Sequence, residues 1–411
     1  MEFLPAAYKR ITGIAVGDIV ISSYNKAISR FFLKADNSVY LQSAYPKLFE
    51  ILGLPTYPAN TSMVTPAAIP PGAPLGSAMS GDGTYFAITT GATPFVTIYK
   101  KVNNEYVKLD NPEDLPSGSA TGCSFSGDGV YLTVTTSSTD YIHNYKRTGD
   151  VFTKLASPDS LPTAAASGSS YSNDGAYMAV SYAAPPYLKI YTNDNGSYTE
   201  LATPSSTPPG AASHVEFSGD GNYLTAIYGS PPYLLNYKLT SGNYEALSTP
   251  LFAPPSAPTD LSYNNNGTLL TVSHGATPYL TIYSRSGDIF TKIENPAGMP
   301  TSAISGVTLS SDGFIMSISF AAPPYLSTYK QNQDIFYKLK DLAVLPIAAP
   351  TTISMALNGE LLGVTFAPTP YATSYLSVAP FDTATEFMVP APLSLNTGDS
   401  PLIVNNYIKA K

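Results

Sequence analysis

Three ionisable side chains stand out in a chain that is otherwise poor in them. His214, Glu216 and Asp260 combine an imidazole with two carboxylates, a donor set that can hold a metal ion or pass protons to and from a substrate. The chain has only 3 histidines, and charged residues make up 12% of it, about half the usual quarter. A second group is aromatic. Tyr182, Tyr228, His274, Phe320 and Phe366 follow one another at intervals of 46 residues, and exposed aromatic faces can stack on sugar rings. Each group also has a plain alternative. The ionisable residues can line a wetted channel, and the aromatics can pack against a neighbouring loop.

The 46-residue interval governs most of the chain. A glycine recurs at that step from Gly83 to Gly359, a tyrosine from Tyr99 to Tyr375 and a proline from Pro70 to Pro346, seven times each. Seven copies without insertion or deletion mean one supersecondary unit used seven times. The second copy carries four short strand signals, at 123–125, 131–135, 141–145 and 151–155, rich in aromatic and β-branched residues and parted by Gly, Asp and Ser. Asp128-Gly129 suits a tight turn between the first two. No helical period is present. The expected fold is all-β: a seven-bladed β-propeller of 46-residue, four-stranded blades.

This architecture positions both groups. With strands A to D running outward, His214, Glu216 and Asp260 fall in strand A, on the channel wall. The column of His214 is otherwise Gly76, Gly122, Gly168, Asp260, Gly306 and Thr352. The aromatic group ends strand B at one mouth of the ring, as a crescent over five blades. The "P-x" aromatics from Phe95 to Tyr371 recur in every copy and read as structural. His143 falls among exposed positions of strand C. Six copies carry the aromatic of strand D, and residues 60–66 keep its phase ahead of the first strand A. That N-terminal stretch is expected to supply the seventh strand D and close the ring.

Composition excludes several classes. Net charge is −8 with 21 Lys and Arg and no basic cluster, so no nucleic-acid face is expected. Cys123 is the single cysteine; it rules out an internal disulfide and reads as a buried, inert thiol. No nucleophile elbow, phosphate loop or metal-binding pair occurs. No cofactor and no metal are expected. The seven Asp-Gly or Asn-Gly turns need no calcium, since turn formation explains them. No apolar run reaches membrane-spanning length, and the N-terminus lacks a secretory apolar core. These features predict a soluble protein made in a cytoplasm, with no membrane insertion.

The segment from Gly17 to Gly53 opens Gly17-Asp18-Ile19 and later carries Tyr45, Pro46, Leu48, Phe49 and Gly53. Phe387 and Pro390, in an F-x-x-P pattern, stand beyond the repeats. The set resembles the tail-collar-type domain of bacteriophage tail fibres. The resemblance implies a small α+β collar-like base formed by both termini, 1–58 and 381–411, with the propeller of 59–380 inserted at a loop tip. It further implies a non-enzymatic virion protein of the tail fibre or tail tip, assembled in the host cytoplasm. The partners would be other tail proteins and a host-surface glycan or protein, with homo-oligomerisation through the base. The other readings are a decoration protein without receptor contact, and a propeller enzyme centred on His214, Glu216 and Asp260.

Overall fold

The structure is a computed structural model. It describes Pro66 and residues 68–376, apart from 104, 333–334, 340 and 342–343, together with the backbone of five short strands in the terminal segments. The chain divides into two compact units, 60–380 and the paired termini 1–59 with 381–411.

The larger unit is all-β, a ring of seven antiparallel blades. Blade 4 is representative: strands A to D are Ala212–Phe217, Tyr223–Tyr228, Leu234–Thr240 and Asn243–Ala246, hydrogen-bonded in that order. Blades 1 to 6 have four strands each, and blade 7 has three described strands, Pro350–Met355, Leu361–Phe366 and Ala372–Leu376. The expected ring-closing strand at 60–66 lies outside the described residues save Pro66. Among the described residues, no helix is long and apolar enough to cross a membrane.

Strand B is buried from end to end in six blades, and from Met178 onward in blade 3, because blades stack on both its faces. In blade 2, Leu132 and Val134 pack on Ala87 and Ile98 of blade 1. Thr133 faces the other way and its Oγ1 meets the Tyr171 hydroxyl of blade 3 at 2.8 Å. The alternation of large and small residues thus becomes a blade-to-blade interlock.

The A–B turns explain the recurring Ser-x-Asp-Gly. In blade 1 the Ser80 hydroxyl donates to Asp82 Oδ1 at 2.7 Å and accepts the Tyr85 amide at 2.9 Å. Gly83 closes the turn at φ +70°, where a side chain would be strained. At the B–C turns the strand expectation needs correcting. Strand C of blade 2 is Ile142–Thr148, not 141–145, since Tyr141 sits in the turn at φ +44°.

In the second unit, strands from the two ends of the chain pair. Ile19–Ser22 and Phe32–Lys34 flank Asn405–Lys409, and Val39–Leu41 pairs with Glu386–Met388 in the register Tyr40↔Phe387. The remaining collar-motif residues, Gly17, Asp18, Tyr45, Pro46, Leu48, Phe49, Gly53 and Pro390, lie outside the described residues.

Candidate functional site

The seven A strands enclose a polar channel, a cavity of about 430 Å³ whose wall includes His214, Glu216 and Asp260. At one mouth the A–B turns are tied by backbone bonds. Leu357 N donates to Gly81 O at 2.8 Å, Gly81 N to Gly127 O at 3.0 Å, and Ser311 N to Leu357 O at 2.7 Å. The first of these crosses the seam between blades 7 and 1. Asn173 Nδ2 reaches Asn265 Oδ1 at 2.8 Å, two blades away and above Gly219. At the other mouth hydroxyls do the tying: Thr121 donates to Ala166 O and Ser167 to Ala212 O, both at 2.6 Å. Leu75 stands in that column of blade 1 and is exposed. The signal for both ties was present in the Ser/Thr and Gly/Asn columns, but only the closed ring brings donor and acceptor together.

The three ionisable residues do lie along one stretch of wall, and the bonds of the two carboxylates are structural. Glu216 Oε1 accepts the Tyr263 amide of blade 5 at 3.1 Å. Asp260 Oδ2 accepts the Val307 amide of blade 6 at 2.9 Å, and Oδ1 accepts Leu261 N–H at 2.9 Å. Serines elsewhere do the same work: Ser170 Oγ accepts Phe217 N–H at 3.1 Å and Ser262 Oγ accepts Leu309 N–H at 3.0 Å. Glu216 occupies the column of those two serines, so it replaces a hydroxyl strut with a carboxyl one. Burial pushes the Glu216 carboxyl up to about 8, with the Tyr263 amide pulling the other way. Burial also raises Asp260, opposed first by the neighbouring His214. His214 itself opens onto the channel. Among the described residues no three His, Cys, Asp or Glu side chains converge as a metal requires.

The aromatic crescent is corrected outright. Tyr182, Tyr228, His274, Phe320 and Phe366 are 0%, 1%, 0%, 3% and 1% exposed. They end strand B inside the blade stack, and no sugar can reach their faces. Tyr228 donates its hydroxyl to Leu234 O at 3.3 Å. His274 Nδ1 faces Ala276 O at 2.9 Å and Nε2 meets Thr281 Oγ1 at 3.0 Å; the carbonyl can only accept, so Nδ1 carries a proton, and burial lowers the ring's pKa. His143 is not a surface residue either. It is buried, and burial first, then Lys154, depress it to about 4. Cys123 is half-buried, and burial pushes its thiol up to about 12, far from a reactive thiolate.

What the sequence pattern did not reveal lies across the B–C turn. The amides of Tyr182, Tyr228, His274, Phe320 and Phe366 donate to the carbonyls of Tyr187, Tyr233, Tyr279, Tyr325 and Tyr371 at 2.9 to 3.1 Å. Those partners are half-buried and held at φ between +67° and +74°. In six blades a cis X–Pro bond precedes the aromatic.

No protein-family model matches the chain, and no curated protein matches it. Among solved structures, the chain is similar to a chain of the Kuenenia stuttgartiensis hydrazine synthase. The TM-score is 0.57 at 14% identity, over 79% of this chain and 98% of that one. At such identity the likeness is one of fold, and a fold does not carry a reaction with it.

Proposed function

We propose that this chain is a non-enzymatic bacteriophage virion protein of the tail fibre or tail tip, in which the propeller serves as a host-surface adhesion head on a collar-like base. One observation carries the reading. The two segments that together resemble the collar domain are separated by seven blades in sequence, yet Val39–Leu41 pairs with Glu386–Met388 and brings Phe387 opposite Tyr40. Insertion of the propeller into one small domain accounts for that pairing. The non-enzymatic part rests on the channel. Its two carboxylates brace neighbouring blades through backbone amides, the task serines perform elsewhere in the ring.

A second reading, decoration of the virion without receptor contact, has its own support. The D–A loops expose Leu251, Phe252, Val344 and Ile347, and exposed apolar loops suit packing against another protein. Mass spectrometry of purified particles, with gold-labelled antibody against the propeller, separates the two. Label at the tail tip is expected. Label spread over the capsid would favour decoration, and absence of the chain from particles would sink both.

A further inference from the structure

We propose that Tyr141, Tyr187, Tyr233, Tyr279, Tyr325 and Tyr371 form a glycan-binding ring on the propeller face that carries the B–C turns. The inference deepens the adhesion reading and rests on it, since it names the site and the ligand class.

The fold leaves the hydroxyls of these six tyrosines unused. Five strand C tyrosines spend theirs on the fold, among them Tyr145, which donates to Asp114 O at 2.9 Å, and Tyr191, which donates to Ser160 O at 2.7 Å, while the unpartnered hydroxyls of Tyr182 and Tyr237 are shut away from water. The six B–C tyrosines are half-buried, and among the described residues none of their hydroxyls has a protein partner or is shut away from water. Blade 1 supplies the control. Phe95 occupies the same place at φ +68°, half-buried, with its amide on Ala92 O at 2.8 Å as that of Tyr141 is on Ser138 O at 2.9 Å. The turn therefore forms without the hydroxyl, yet six of seven copies carry one.

The turn also preorganises each ring. A bulky residue at positive φ is strained, and here it is pinned by a bond on each side of the turn. Thr136 N donates to Tyr141 O, and Tyr141 N to Ser138 O. A partly exposed tyrosine so held offers part of its aromatic face and a hydroxyl edge at little entropic cost. A sugar presents the complement, an apolar C–H face rimmed by hydroxyls. The flanking turns, such as Ala183-Ala184-Pro185-Pro186 and Gly275-Ala276-Thr277-Pro278, carry no charge, and Asp140 is the one charged residue between strands B and C. A neutral polymer fits this better than an ionic one. Equivalent sites repeated around a ring suit a ligand that itself repeats, with avidity compounding weak contacts.

The test uses the full-length chain in affinity electrophoresis through gels containing dextran, mannan, galactan or pullulan, with decaproline titrated separately by calorimetry. Wild type is expected to be retarded by at least one polysaccharide and to ignore decaproline. Tyr187→Phe with Tyr233→Phe and Tyr279→Phe copies what blade 1 already does, so the melting temperature should hold. Retardation should weaken at least tenfold, at roughly fivefold per lost hydroxyl bond. Unchanged retardation of the triple variant overturns the site. Wild type retarded by none of the four, or binding decaproline instead, overturns the ligand class. Either failure leaves the adhesion reading standing if particles carry the chain at the tail tip. A chain absent from particles but retarded in the gel would do the reverse, keeping the glycan site and removing the virion role.

Discussion

The amide of Tyr228 donates to the carbonyl of Tyr233 at 3.0 Å, and that bond separates an interior aromatic from a surface one. Tyr228 is 1% exposed; Tyr233, five residues on and in left-handed backbone, is half-buried. The same pairing recurs in blades 3, 5, 6 and 7. Strand B lies between two blades, so its last residue is core, and the turn lifts the next aromatic toward water.

Truncating the interior member should therefore damage the fold. Phe320→Ala is expected to cost about 3–5 kcal/mol, read as a lower urea midpoint with unchanged slope. A loss below about 1 kcal/mol would mean that the site is far looser than its 3% exposure implies.

Glu216 should make the protein less stable in alkali. Its carboxyl ordinarily titrates near 4.5 and is pushed up to about 8 in the fold by burial. The folded state binds the proton more tightly, so stability is fully present below about 4.5 and is lost as pH rises through about 8. Glu216→Gln keeps an acceptor for the Tyr263 amide. It should match wild type at pH 4.5 and exceed it at pH 8.5 by on the order of 1 kcal/mol, a figure discounted for channel water. Parallel pH curves for the two proteins would refute this.

His143 should act with the opposite sign. Burial depresses it to about 4 from an ordinary 6.5, so the unfolded chain takes up the proton first. Its contribution is complete above pH 6.5 and disappears as pH falls through 4, to the order of 3 kcal/mol at the limit. Thr97, Thr281 and Thr373 fill the same column, which makes His143→Thr a substitution the blade already accepts. Urea titrations at pH 7 and pH 4 should show a shallower acid loss in the variant than in wild type.

Two glycines on the turn ring should respond unequally to alanine. At Gly81 a Cβ would lie 2.3 Å from the Gly127 carbonyl oxygen and 2.6 Å from Leu357 Cδ1, at the seam of the ring. At Gly219 it would lie 2.3 Å from Asn173 Nδ2 and Asn265 Oδ1, the ends of two side chains that can swing aside. Gly81→Ala is expected to cost about 2–3 kcal/mol and Gly219→Ala about 1. Thermal melts of the two variants decide it, and the reverse order would show that the asparagine bridge, not the seam, holds that mouth together.

The sequence by itself determined the blade count, the strand order and the apolar columns, because a 46-residue period with an apolar/small alternation leaves little choice of unit or register. It also placed His214, Glu216 and Asp260 on one wall, since position in the repeat is position around the ring. Tertiary structure decided what those residues do. Glu216 and Asp260 proved to be struts because the amides of Tyr263 and Val307 lie one blade on, and no local pattern reveals a donor about 46 residues away. It likewise decided which aromatic meets solvent. In a single sheet, alternation separates a buried face from a wet one. In a propeller each blade is covered on both faces, so Tyr182, Tyr228, His274, Phe320 and Phe366 are buried, and exposure is set by the left-handed turn that follows them.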